Sequence, residues 1–239
     1  MSTVHNPFTG NGDYWWYRGK AKILKSFFGN LVSPDAHVID IGSADGPAVK
    51  FIDDTLATGT GVKLAMDIVP DGLRPEDILG SVEAIPLGDA TFDIISAFDV
   101  IEHVENEALG LSEIFRVLKP GGYFFMSVPA YQWAWSRHDV ELHHHRRYTV
   151  KRAVKALKNA GFDIEQSSYG FFGTFPLFAV QRLFAKAKNS YSGEVPKVSK
   201  AQDAILTALV NLDAKLINSG RSLPWGSSVL VAGRKPSGN

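Results

Sequence analysis

Cysteine is the residue type that this chain lacks completely, with none among 239 residues. Its absence excludes disulfide scaffolds, thiolate metal sites and cysteine nucleophiles together. An excess of charge of either sign is also missing, because 25 Lys and Arg residues balance 25 Asp and Glu residues. A neutral chain has no net attraction for the phosphates of a nucleic acid, so no nucleic-acid partner is expected.

Long apolar runs and targeting signals are missing as well. No uninterrupted apolar segment approaches the roughly 20 residues that span a bilayer. The opening MSTVHNPFTGNGD is polar and lacks the charged start and apolar centre of a secretory signal peptide, so a cytoplasmic location is expected. With 45% hydrophobic and 21% charged residues, the composition is typical of a globular protein, and we expect a single domain over residues 1–239.

The segment 38–46, VIDIGSADG, is an apolar run that changes abruptly into a turn of small residues. This pattern predicts a strand buried on both faces and then a tight turn at the carboxyl edge of a parallel sheet. Gly42 and Gly46 can adopt backbone angles that are closed to other residues, and Asp40 places a carboxylate at that edge. A second predicted strand ends in Asp67, about 20 residues after the turn, where nucleotide-binding sheets place an acid that accepts hydrogen bonds from ribose hydroxyls.

Apolar periodicity and capping residues predict the remaining elements. Thr149 is a good N-cap for the helix that follows it, whereas the polar segment 130–149 has no clean period and is predicted to be a loop at the same sheet edge. The predicted helices cover about 19–30, 47–56, 111–118, 150–161 and 200–219, and the predicted strands cover 38–41, 61–67, 91–98, 123–128, 162–169 and 228–232.

The stretches FDIISAFDVIEHV and EIFRVLKPGGYFFMSVP, in this order after the glycine turn, resemble the class I S-adenosylmethionine-dependent methyltransferases of the type 11/23 kind. The resemblance is firm over 38–128 and looser over 13–162. It implies an α/β fold: a Rossmann-like seven-stranded mixed sheet flanked by helices, with an antiparallel last strand. A helical insertion, 170–226, precedes that last strand here. The resemblance also implies an enzyme whose cofactor is S-adenosyl-L-methionine.

The resemblance assigns a set of cofactor-binding residues. Two of them depart from the family pattern, because Ala44 replaces the usual middle glycine of the turn and Ser81 replaces an acid beside the adenine. The aromatic N-terminal segment, within the arm 1–30, either packs on the domain or covers the cofactor, with Arg18 toward a carboxylate. The implied set is Tyr14, Arg18, Asp40, Gly42, Ser43, Ala44, Gly46, Asp67, Ser81, Val82, Phe98, Asp99 and His103.

Histidines are concentrated in one part of the sequence: five of the seven are His103 or lie within 138–145. An imidazole with a pKa of about 6.5 is a usable base near neutral pH, so we predict that His103 or His144 removes a proton from the methyl acceptor, oriented by Asp139 or Glu102. No metal is expected. The alternatives are a solvated structural cluster, or a metal site of Glu102, His103 and His144 that resembles the site of methyltransferases acting on the terminal ribose 2′-hydroxyl of small RNAs.

The run DVELHHHRRYT resembles a motif of bacterial methyltransferases with polyprenol, glycan and envelope functions. In it, Arg146, Arg147 and Tyr148 could contact a phosphate or sugar, since arginine forks match such anions. The sequence therefore predicts O-methylation of a small-molecule or a lipid- or glycan-linked acceptor. The alternatives are a metal-assisted RNA ribose 2′-O-methyltransferase and a catalytically silent cofactor-binding module.

The insertion 170–226 supports two interpretations. Its first part is rich in aromatic residues and ends in lysines, and its later part predicts an amphipathic helix with Ile205, Leu209, Leu212 and Leu216 on one side. In one interpretation its helices cap the sheet or form the seam of a homodimer. In the other they bind an apolar substrate, or lie on a membrane surface through 171–188.

Overall fold

The computed structural model of the protein describes residues 14–42, 49–188 and 198–238. Its strands form one seven-stranded mixed sheet of order β3-β2-β1-β4-β5-β7-β6, which confirms the predicted fold class. In chain order the strands are β1 His37–Ile41, β2 Val62–Asp67, β3 Ile78–Leu79, β4 Phe92–Phe98, β5 Leu118–Pro129, β6 Asp163–Gly170 and β7 Ser228–Arg234.

Seven α-helices occur in the described ranges: α1 Trp15–Phe28, α2 Lys50–Leu56, α3 Glu107–Val117, α4 Arg137–Glu141, α5 Val150–Asn159, α6 Phe175–Lys188 and α7 Lys200–Asn218. The predicted N-cap of α5 is confirmed, because Thr149 Oγ1 accepts a hydrogen bond from the Arg152 amide. None of these helices combines the length and the apolar character needed to cross a membrane.

The sheet separates two apolar cores, as the alternation of side chains along a strand requires. Ile39 and Ile95 belong to the core that packs against α3 and α5. Their neighbours Val38 and Ile94 belong to the core that packs against α1, α2 and α7. Because both faces of the central strands are covered, these strands are apolar almost throughout, which is why they could be recognised in the sequence.

Six strands, β1 to β6, run in the same direction, and β7 lies antiparallel between β5 and β6. The carboxyl ends of β1, β2, β4 and β5 therefore meet at one edge of the sheet, which is the edge where open α/β sheets bind ligands. The segments that follow these strands form the candidate site.

Three local expectations are corrected by the structure. Helix α1 begins at Trp15, so the aromatic segment is helical, and the Trp16 ring stacks on Phe171 with their centroids 6.0 Å apart. Strand β5 begins at Leu118, five residues before the predicted strand 123–128, so it includes the LKPGG segment. The predicted loop after β5 contains a 3-10 turn and the short helix α4, which the irregular apolar spacing did not indicate.

The apolar stripe recognised in the sequence of α7 is only partly buried. Ile205 and Leu212 are 62% and 49% exposed, and the buried residues are Leu206, Val210, Asp213, Ala214 and Ile217. Asp213 is the polar member of the buried face, and both of its carboxylate oxygens accept a hydrogen bond from the Gly173 amide, at 3.1 and 3.2 Å. A buried aspartate cannot be inferred from an apolar pattern.

Candidate active site

The turn after β1 is constrained by its neighbours. Asp40 is 2% exposed, and its Oδ1 accepts a hydrogen bond from Ser96 Oγ on β4. Gly42 has a φ of +73° and donates its amide hydrogen to the Met66 carbonyl at 2.7 Å, and an added Cβ would collide with Val100. Only glycine fits there. The predicted cofactor residues Ser43, Ala44 and Gly46 lie outside the described residues.

Asp67 ends β2 next to this turn. Its Oδ1 accepts a hydrogen bond from the Val69 amide at 3.0 Å, and its Oδ2 has no donor among the described residues. A half-buried carboxylate with one available oxygen, beside a glycine turn, suits the hydroxyl pair of a ribose. The residues present therefore fit the nucleoside end of the cofactor that the resemblance implies.

The other predicted cofactor residues are distributed over the same edge. Val82 is 6% exposed and belongs to the core, whereas Ser81 is half-buried and its Oγ accepts from the Glu83 amide at 3.2 Å. Phe98 packs on Phe28 of α1, with their ring centroids 5.5 Å apart. Contacts within the protein therefore account for the positions of these three side chains. The structure does not by itself assign them a ligand.

Arg18 was predicted to face a carboxylate of the cofactor, but in the structure it pairs with a carboxylate of the protein. Its guanidinium forms a bidentate ion pair with Asp203 of α7, at 2.9 and 2.8 Å. Tyr14, its neighbour on the same helix, serves as the N-cap of α1 through its carbonyl, which accepts from the Tyr17 amide. In the described structure Arg18 thus joins α1 to α7.

Lys20 is the cation of α1 that does face the sheet edge, and sequence reasoning missed it. Its side chain is 7% exposed and contacts the carboxylate of Asp99, and its ammonium lies 5.1 Å from the ring centroid of Trp16. The available signal was helical spacing, because Lys20 precedes the buried residues Ile23 and Leu24 by three and four positions and so shares their face.

The histidine-rich loop 131–147 is closed at its base by backbone hydrogen bonds that link Tyr148 to the end of β5 and to Tyr131. The Tyr131 amide donates to the Tyr148 carbonyl at 2.6 Å, and the Tyr148 amide donates to the Pro129 carbonyl at 2.9 Å. A further bond, from the His145 amide to the Glu102 carbonyl at 2.7 Å, holds the loop against the 3-10 turn that follows β4. The predicted catalytic residues are thereby brought together from distant parts of the sequence.

Asp139 is the centre of this loop. It is fully buried, His144 Nδ1 lies 2.9 Å from its Oδ1, and Arg147 contacts both of its oxygens at 2.7 and 3.1 Å. Burial alone would raise the pKa of Asp139, but the hydrogen bonds of His144 and Arg147 reverse this and hold that pKa well below its usual range. The carboxylate fixes His144 through Nδ1, so Nε2 is left to face other groups.

This arrangement corrects one expectation about the basic motif. Arg147 is 6% exposed and is occupied by Asp139, and the hydroxyl of Tyr148 donates to a Glu107 carboxylate oxygen at 2.5 Å. Neither group is available to a phosphate or a sugar.

His103 and Glu102 complete the cluster. The rings of His103 and His144 meet edge to face with their centroids 4.5 Å apart. Partial burial of the ring and the neighbouring His144 lower the pKa of His103. Burial also raises the pKa of Glu102 and lowers that of Lys20. One ligand-type atom from each of Glu102, His103 and His144 lies within 4.8 Å of the others.

Helix α6 flanks the histidine loop. Its Phe175 ring lies 5.3 Å from Tyr131, centroid to centroid, and Arg182 Nη1 donates to Ser136 Oγ at 2.8 Å. Four apolar side chains on the opposite face of α6 point to solvent: Leu177, Val180, Leu183 and Phe184 are 62%, 51%, 59% and 66% exposed. We call these four residues the α6 apolar face.

Comparison with known proteins finds similarity to methyltransferases. The model of a methyltransferase domain matches residues 39–126, which contain most of β1 and β5 and all of α2, β2, β3, β4 and α3. A protein of Mycolicibacterium smegmatis named as a probable S-adenosylmethionine-dependent methyltransferase is 36% identical over 96 residues, 39% of this chain and 37% of that protein. The malonyl-[acyl-carrier protein] O-methyltransferase of Enterobacter lignolyticus is 25% identical over 162 residues, 64% of this chain and 60% of that protein.

A solved structure with the same fold is phosphoethanolamine N-methyltransferase 2 of Haemonchus contortus in complex with S-adenosyl-L-methionine. It superposes with a TM-score of 0.55 at 16% identity, over 92% of this chain and 53% of that one. The chain thus spans between about two fifths and three fifths of the lengths of these relatives. Their names include transfer to oxygen and to nitrogen, so the comparisons leave the acceptor atom open.

Proposed function

Because this chain belongs to the class I S-adenosylmethionine-dependent methyltransferases, we propose that it methylates an oxygen of a small-molecule or lipid- or glycan-linked acceptor. The observation that carries the choice of oxygen is the Asp139–His144 pair at the carboxyl edge of the sheet. A hydroxyl acceptor must lose a proton when it is methylated, and this pair is the kind of group that removes one.

The cofactor half of the site is the edge formed by the ends of β1, β2 and β4. When bound, S-adenosyl-L-methionine supplies a methyl group on a sulfonium, and this carbon forms a bond to the acceptor oxygen while the electrons of the broken S–C bond stay on sulfur. Asp67 would hold the ribose hydroxyls, and Gly42 allows the ligand to approach the main chain. Lys20 and Asp99 would border the cofactor where the acceptor half begins.

The acceptor half is formed by the 3-10 turn 101–103 and the loop 131–147. His144 Nε2 takes the hydroxyl proton, and Asp139 stabilises the imidazolium that results, because its carboxylate already bonds to Nδ1. Arg147 keeps that carboxylate in place. Positioning of the two reactants supplies the rest of the rate enhancement, since the methyl group is already activated.

The α6 apolar face supports a lipid-linked acceptor. It lies on a helix that contacts the histidine loop, and the α6 segment FPLFAVQRLFAKAK contains three basic residues and no acid. An exposed apolar face on a basic helix is typical of segments that rest on anionic membranes. An acceptor anchored in a bilayer would then reach the loop directly.

Labelled methyl transfer tests the proposal. The protein is incubated with S-adenosyl-L-methionine carrying a labelled methyl group and, separately, with free monosaccharides, glycosylated polyprenols and a single-stranded RNA with a free terminal ribose. We expect base-stable label, as an ether gives, in one of the first two. Label in the RNA would contradict the acceptor class, and a protein that binds cofactor but labels none of the three would contradict the proposal.

A further inference from the structure

The Glu102 carboxylate is the polar group that hydrogen bonding explains least. Glu102 is 1% exposed, and no other residue in the described parts of the chain donates a hydrogen bond to either of its oxygens. Lys20 and Arg147 attract this carboxylate electrostatically, but their ion pairs are formed with Asp99 and Asp139. Burying an unpartnered carboxylate costs several kcal/mol, on the order of the cost of any buried unpaired charge. The Glu102 carboxylate therefore needs a partner that does not come from the described parts of the chain.

Two imidazoles lie beside this carboxylate, and one of them has a nitrogen already fixed. His144 Nδ1 bonds to Asp139, and the His103 ring meets the His144 ring edge to face with their centroids 4.5 Å apart. Histidines that bind metals are oriented as His144 is, with the second nitrogen bonded to a carboxylate or a backbone carbonyl.

The separation of the three groups suits a small ion. Their ligand-type atoms lie within 4.8 Å of one another, while a tetrahedral ion with bonds of ~2.1 Å holds its ligands about 3.5 Å apart. Small side-chain rotations close that difference.

We propose that Glu102, His103 and His144 bind one divalent transition-metal ion. Two imidazoles and a carboxylate suit Zn²⁺, Mn²⁺ or Fe²⁺, and three protein ligands leave a position for an oxygen of the acceptor. The role of the ion rests on the proposed function. With the ion bound, His144 Nε2 would be a ligand instead of the base. The ion would then lower the pKa of the acceptor hydroxyl that it holds, and the released proton would pass to water.

Titration with Co²⁺ tests the site, because cobalt bound by such ligands absorbs visible light and needs no methyl acceptor to be detected. We expect one saturable equivalent per chain after removal of metals with a chelator. Glu102→Gln and His103→Gln should each weaken binding by at least about tenfold, and both are neutral replacements of similar size. The matched control is His145→Gln, an exposed imidazole of the same loop, which should leave the affinity unchanged.

Two results would overturn the site: absence of saturable binding, or binding that His145→Gln weakens and Glu102→Gln does not, which would place the ion on the exposed histidines. S-adenosylhomocysteine binding, measured on the same sample, separates this inference from the proposed function. Protein that binds the nucleoside but no Co²⁺ overturns the metal site alone. Protein that binds Co²⁺ but no nucleoside overturns the proposed function alone.

Discussion

The cofactor half and the acceptor half of this sheet edge are built by different means. In the cofactor half, Asp40 is the next-to-last residue of β1 and Asp67 the last residue of β2. These two strands are adjacent and parallel, so strand geometry sets the separation of the two acids. In the acceptor half, His144 is held by a buried ion pair between Asp139 and Arg147 within a single loop. The fold thus supplies the first half, whereas the second depends on a few buried hydrogen bonds and can change without altering the sheet.

Replacing His144 should have the largest effect on activity, and it should impair only the acceptor half of the site. For His144→Gln we expect kcat to fall by about 10²- to 10⁴-fold, the usual contribution of a positioned proton-transfer group, with S-adenosylhomocysteine affinity unchanged. The measurement is labelled methyl transfer together with calorimetric nucleoside binding. His145→Gln is the control, and a similar loss of nucleoside binding in His144→Gln would contradict the separation of the two halves.

Replacing Asp67 tests the other half. Asp67→Asn removes a charged hydrogen-bond acceptor from the expected ribose site and should weaken S-adenosylhomocysteine binding about 10- to 100-fold, since such bonds contribute about 1.5–3 kcal/mol. Co²⁺ binding should not change. Asp71→Asn, an exposed acid of the segment after β2, is the control. Unaltered nucleoside affinity in Asp67→Asn would remove the residue from the site.

The cofactor half could be predicted from sequence and most of the acceptor half could not, for a physical reason. Gly42 and Asp67 follow apolar strands whose pattern reveals both faces and both ends. Lys20 and the unpartnered carboxylate of Glu102 act through tertiary contacts between distant segments, and no local pattern encodes those. Asp139 and His144 were identified by residue type, but the buried Arg147 that holds them was assigned to a ligand.

Asp213 of α7 joins two parts of the insertion, because it accepts a hydrogen bond from the Gly173 amide ahead of α6. Its burial makes this contact depend on pH. Burial raises the pKa of Asp213 to about 6, so this carboxyl group binds its proton more tightly in the folded protein than in the unfolded chain. Its contribution to stability is complete below about pH 4 and is lost as pH rises through 6, by about 3 kcal/mol in total.

Asp213→Asn removes that dependence and keeps one carbonyl acceptor for the Gly173 amide. We expect the free energy of unfolding to rise by about 2 kcal/mol at pH 8 and to change little at pH 4.5, measured by urea denaturation at both pH values. Asp203→Asn on the same helix should produce no such trend. An equal change at both pH values would contradict the account.

The smallest expected effect concerns the α6 apolar face. Wild-type protein should sediment with vesicles of mixed phosphatidylcholine and phosphatidylglycerol, and Leu183→Glu should weaken that binding by about tenfold, as expected for the loss of one partly buried leucine. Ile205→Glu, which alters an exposed apolar residue of α7, is the matched control. Equal loss in both variants would show that the contact is not specific to α6.

Calorimetric titration of the folded wild-type chain with S-adenosylhomocysteine tests the central claim most directly, because it needs neither the acceptor nor a metal. We predict saturable binding of one nucleoside per chain, weakened in Asp67→Asn and retained in His144→Gln. Absence of binding to protein whose circular dichroism confirms a folded α/β domain would contradict the claim.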